Sequence, residues 1–189
     1  SLMSEETINE AYSTVVILSI FLQESQAIAI KHSAEIATQL LKYSNAEIHH
    51  TVYEVSLIAL SFLIEANGNK LSAFYDPIMQ SCLIALESNH PTLIINSINT
   101  LTMAANNMDF NNVYLESLIN KIAELSAEPE VLPFTIPLLS SLILQSQEEI
   151  VPYIPMFIQI VIPAAQISET INPIIKGDAI EALALLIRY

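Results

Sequence analysis

The chain has 189 residues, 52% of them hydrophobic, and sets 6 Lys and Arg against 20 Asp and Glu for a formal net charge of −14 at pH 7. A field of that sign repels nucleic-acid phosphates and anionic lipid and attracts basic partners, so nucleic-acid binding is not expected. The two glycines leave almost no material for hairpin turns, dinucleotide loops or phosphate cradles, which sets nucleotide enzymes aside.

Taken in chain order, the apolar residues recur at i, i+3 and i+4 over nine stretches: 7–23, 28–43, 47–65, 72–87, 91–105, 113–125, 131–145, 151–166 and 173–188. That spacing predicts nine helices and no strand. Between them lie turn and cap compositions such as "NGNK", "SNHP", "NNMDFNN" and "SETINP". The greasiest stretch, Ile150 to Ala165, is interrupted by Pro152, Pro155, Gln159 and Pro163 and is flanked by Glu148, Glu149 and Glu169. It is too short and too interrupted for the roughly 20 residues of a membrane span, so no membrane insertion is expected. Its prolines read as first-turn residues, where a missing N–H costs little. Ser1 and Leu2 ahead of Met3 read as a cloning remnant.

The stretches repeat. Tyr75, Tyr114 and Tyr153 stand 39 residues apart, each opening a helix, and the phrases "IHHTVYEVS", "LIINSINTL", "LPFTIPLLS" and "IKGDAIEAL" align as second helices. Periods of roughly 40 to 47 built from helix pairs are the signature of HEAT or armadillo repeats. In the last copy Ile175 and Lys176 are followed by Ala179 and Ala182 on one face, small residues that let a neighbouring helix approach closely. His49, Ile94 and Pro133 depart from the usual basic position, and Ile136 from the small one. The expected fold is all-α, a right-handed α-α superhelix of HEAT-like repeats with about four helix pairs plus a leading helix, in one domain over 1–189.

The order of "FYDPIMQSCLIALES", "YLESLINKI", "EEIVPYIPMFIQIVIP" and "IKGDAIEALALL", over roughly residues 45–189, resembles a middle section of the importin-β (karyopherin-β) nuclear transport receptors. The resemblance implies a fragment of a longer chain, shared between cytoplasm and nucleus, with basic cargo proteins, Ran-GTP and phenylalanine-glycine (FG) nucleoporins as partners and no cofactor. No residue pattern marks nucleoporin grooves. In a helix-pair solenoid the second helices line the concave side. The candidate cargo-binding residues there are Glu47, His50, Glu54, Asn96, Asn99, Asp178 and Glu181, carboxylates and amides suited to a basic, extended segment. The rival reading is a HEAT scaffold of another complex, such as a phosphatase scaffold, vesicle coat or chromatin subunit.

No catalytic motif stands out, and the chain is expected not to be an enzyme. His50 and Glu54, four apart on one helical face, form the nearest approach to a metal pair. On a helix His49 and His50 diverge by about 100°, so at most one of them joins it. His32 with Glu35 reads as a three-apart surface pair, and His90 before Pro91 as a helix-start residue. Cys82, the lone cysteine, sits in the apolar run "SCLIAL" and reads as a small buried hydrophobe. A lone thiol and the absence of any Asn-x-Ser/Thr site lean toward a reducing compartment.

Overall fold

A computed structural model describes residues 4–166 and 173–188. Ser1, Leu2 and the expected turn at 168–172, with Glu169, lie outside the described residues. Those described are all-α, with no strand. The helices are α1 (Glu5–Glu24), α2 (Gln26–Lys31), α3 (Ser33–Lys42), α4 (His50–Asn67), α5 (Tyr75–Leu86), α6 (Pro91–Asn107), α7 (Leu115–Leu125), α8 (Leu132–Ser146), α9 (Ile154–Ala165) and α10 (Pro173–Leu186). Short 3-10 segments at Gly68–Phe74, Asn112–Tyr114 and Gln147–Tyr153 lead into α5, α7 and α9.

Each of the nine expected helices is present, one of them in two pieces. The stretch 28–43 breaks at His32, whose backbone (φ −116°, ψ 23°) closes α2. The His32 Nδ1 lies 3.0 Å from Glu35 Oε2 in the first turn of α3, so the side chain holds the second piece as the first ends. Elsewhere the caps follow ordinary chemistry. Ser4 Oγ accepts from the Thr7 N–H (3.3 Å) at the start of α1, ahead of Glu5 and Glu6. Pro91 opens α6.

The prolines of the greasy stretch divide. Pro155 sits in the first turn of α9 as expected, whereas Pro152 lies within the preceding 3-10 segment and Pro163 inside α9. The apolar run Leu132–Ala165 reaches a mean hydropathy of 1.3 over an 18-residue window, enough by length and composition for a membrane span. It is not one helix: α8 has 15 residues and α9 has 12, and between them Gln147 takes a positive φ of 49°. Neither piece reaches the roughly 20 residues of a span.

The chain forms two compact units, one ending at Asp109 and the other beginning at Phe110. In the first, α4 packs against α1 and α6, with α2 and α3 also on α4 and α5 on α6. Its core includes Leu57, Leu60, Leu63 and Ile64 of α4 with Ile98 and Leu101 of α6. In the second, α10 packs on α8 and α9, and α7 touches both α8 and α9. Ala179 and Ala182 are fully buried on α10, in keeping with the small-residue face read from "IKGDAIEAL".

The long helices α4, α6, α8 and α10 begin at residues 50, 91, 132 and 173, each 41 after the last. The shorter α5, α7 and α9 begin at 75, 115 and 154, steps of 40 and 39. Turn geometry recurs as well: Gly68 (φ 51°, ψ −129°) and Gln147 (φ 49°, ψ −126°) each follow a long helix and open a seven-residue 3-10 segment.

Within the first unit, buried polar side chains bridge residues about one period apart. Thr100 Oγ1 lies 3.0 Å from the Leu57 carbonyl, Ser81 Oγ donates to Ser44 O at 2.8 Å, and Asn67 Nδ2 to Ala29 O at 3.2 Å. The Asp109 N–H donates to Asn69 Oδ1 at 2.6 Å, 40 residues apart. Each such bond contributes only about 1 kcal/mol net, but deleting a partner of one of the three buried bonds strands a buried polar group, so they specify how the helices of this unit seat on one another.

Candidate functional site

The candidate residues divide between the units. Glu47, His50, Glu54, Asn96 and Asn99 belong to the first, Asp178 and Glu181 to the second. Glu47 is not on a second helix as expected. Asn45 Oδ1 accepts the Glu47 N–H (3.0 Å), an Asx turn that delays the start of α4 to His50. The others lie on long helices: His50 and Glu54 on α4, Asn96 and Asn99 on α6, Asp178 and Glu181 on α10.

The 41-residue register places two of these pairs at equivalent positions: Asp178 and Glu181 stand 82 residues, two periods, after Asn96 and Asn99. The matching positions are Val55 and Ile58 on α4 and Pro137 and Ser140 on α8. Asn96 and Asp178 are half-buried and Asn99 and Glu181 exposed, so the pair sits on the outward side of its helix in both units. Burial pushes the Asp178 carboxyl up, and the like charge of Glu181 one turn on pushes it the same way. A cation bound there would offset the repulsion between the two carboxylates.

A second concentration of polar groups stands at the start of α4. The His50 and His90 rings are stacked, centroids 3.9 Å apart and planes within 6°, and His49 lies 4.4 Å from His50 at 33°. The expectation that His49 and His50 diverge on a helix fails here, because His49 (φ −58°, ψ 133°) precedes α4 and is free of helical geometry. His90 does start α6 as expected. Its meeting with His50 was missed, although the signal was in the chain: His49 and His90 are 41 residues apart and occupy the same position before successive long helices.

These rings line a cleft of about 500 Å³, together with Ile48, Tyr53, Ile84 and Glu87 among others. Burial, then the neighbouring His90 and His49, hold His50 below the usual imidazole value. Burial pushes the half-buried Glu54 up, against the pull of His90 and His49. Among the described residues no group of three or more His, Cys, Asp or Glu is arranged to hold a metal ion.

Cys82 is fully buried, and burial pushes its thiol up to about 12 against a favourable hydrogen bond from Ser97. Only the thiolate attacks. At pH ~8, labelling of Cys82 by a disulfide reagent is therefore expected to be at least about a hundredfold slower in the folded chain than in denaturant. Equal rates would show that the thiol is reachable.

No protein-family model, curated protein or solved structure matches the chain.

Proposed function

We propose that the chain is a protein-binding segment built of HEAT-like repeats, an adaptor with no chemistry of its own, that takes a basic, extended partner at outward positions of its long helices. The observation that carries this reading is the 41-residue register, which sets Asn96 with Asn99 and Asp178 with Glu181 at one repeated outward position. Amides there pair with peptide backbone and carboxylates with lysine or arginine side chains. The net charge of −14 adds long-range steering.

The sequence resemblance to importin-β receptors makes the partner a basic cargo, with Ran-GTP and FG nucleoporins as further partners and traffic between cytoplasm and nucleus as the setting. A lysine-rich peptide is the direct probe. Its affinity is expected to fall about tenfold or more between about 50 and 300 mM salt, since exposed charge pairs are screened over roughly 10 Å. Asp178→Asn with Glu181→Gln is expected to weaken it about two- to fivefold at low salt. Indifference to the peptide at low salt would favour the other kind of HEAT scaffold, one that docks a folded partner on its turns.

A further inference from the structure

We propose that the cleft between the turn before α4 and the turn before α6 is a guanidinium pocket, which anchors one arginine side chain of the basic partner. The proposal deepens the basic-partner reading and rests on it for the peptide that carries the arginine. It adds a site distinct from the Asn96 and Asn99 position on α6 and a preference of arginine over lysine.

The chemistry of the lining selects the ligand. Among the described residues no lysine or arginine lines the cleft, whereas three imidazoles and Glu87 do. A guanidinium is planar, weakly hydrated and stacks on aromatic faces, whereas an ammonium is a compact and strongly hydrated point charge. Stacking on His50 covers one side of the His90 ring and leaves the other side of this exposed residue for a guanidinium, and a neutral imidazole also has a ring nitrogen that accepts N–H. Ile48 and Ile84 suit the aliphatic stem of the same side chain. Tyr53, whose hydroxyl donates to Ser81 O, makes a firm floor.

A neutral ring is needed for this, and burial, then the neighbouring His90 and His49, hold His50 below the usual imidazole value. Charged and titratable groups around them are Glu47 and His49 in the turn before α4, Tyr53 and Glu54 on α4, buried Cys82 and exposed Glu87 at the end of α5, and His90 before α6. Lys42, at the end of α3, donates to Gln39 Oε1. Once acid protonates His50, its charge repels a cation. Glu54, already pushed up by burial, loses its charge in the same direction. The Asp178 carboxyl is pushed up as well, so a fall in overall affinity with pH does not report the pocket; the difference between arginine and lysine does.

The test uses the intact chain and two lysine-rich peptides that differ at one central position, arginine or lysine, titrated at about pH 7.5 and 5.5. The arginine peptide is expected to bind about two- to fivefold tighter at the higher pH. That preference disappears at the lower pH and in His90→Ala. His90 is exposed and makes no side-chain cap bond, so this variant keeps the fold. Equal affinities at both pH values, or a preference that survives His90→Ala, overturn the pocket while leaving the basic-partner reading intact. Arginine amide, followed through the imidazole resonances of His50 and His90 with lysine amide as control, separates the opposite case. Shifts with arginine amide alone support the pocket even if both peptides fail to bind; no shift overturns it.

Discussion

Replacing Gly68 with alanine is expected to destabilise the chain by about 2 to 4 kcal/mol, read as a lower urea midpoint with an unchanged slope. Two causes add. The backbone at Gly68 has φ 51° and ψ −129°, a conformation that side chains resist. A Cβ there would also stand 2.6 Å from the Asn107 backbone oxygen, at the end of α6 where the chain cannot swing aside as a side chain would. The equivalent turn carries the opposite prediction. Gln147 holds nearly the same angles (φ 49°, ψ −126°) with a side chain in place, so Gln147→Gly is expected to stabilise by up to about 1 kcal/mol, strain relief outweighing the added freedom of the unfolded chain. A Gly68→Ala variant within about 0.5 kcal/mol of the parent would show that the turn is not as described.

The second large effect is in the other unit. Phe157, on α9, is among the largest fully buried side chains, and Phe157→Ala is expected to cost about 3 to 5 kcal/mol through lost burial and the cavity left behind. Its neighbour in sequence is the control. Ile158 is 38% exposed, and Ile158→Ala is expected to change stability by less than about 1 kcal/mol. Urea unfolding of the pair, followed by far-ultraviolet circular dichroism, separates them; similar losses in both would contradict the assigned face of α9.

The helices were legible because nearly every segment carries an apolar face at helical spacing and the turns between are rich in Asn, Ser and Pro. The repeat was legible too, but with uneven steps. Phrases such as "IHHTVYEVS" and "IKGDAIEAL" align on apolar residues that slide by a few positions, whereas the backbone starts of the long helices keep an even 41. The break at His32 was not legible, since Ile28 to Tyr43 keeps its apolar pattern straight through the one residue whose backbone departs. Glu47 was misplaced for a local reason: an Asx turn from Asn45 outcompetes the first turn of α4.

The candidate site was legible only in part. Asn96, Asn99, Asp178 and Glu181 were picked out as candidates, but their shared register needed the helix starts. The imidazole cluster joins His49 and His50 to His90, 40 residues further on. Single-helix spacing says nothing about such a meeting. It follows from the packing of α4 on α6, which brings the beginnings of successive long helices side by side.

Amide chemical-shift mapping of the ¹⁵N-labelled chain with a lysine-rich peptide tests the central claim most directly. The account predicts that shifts concentrate at the outward positions of the long helices, around Glu54, Asn96 and Asn99 in the first unit and Asp178 and Glu181 in the second, and fade as salt is raised. Shifts confined to the acidic start of α1 around Glu5, Glu6 and Glu10, or none at any salt concentration, would contradict it.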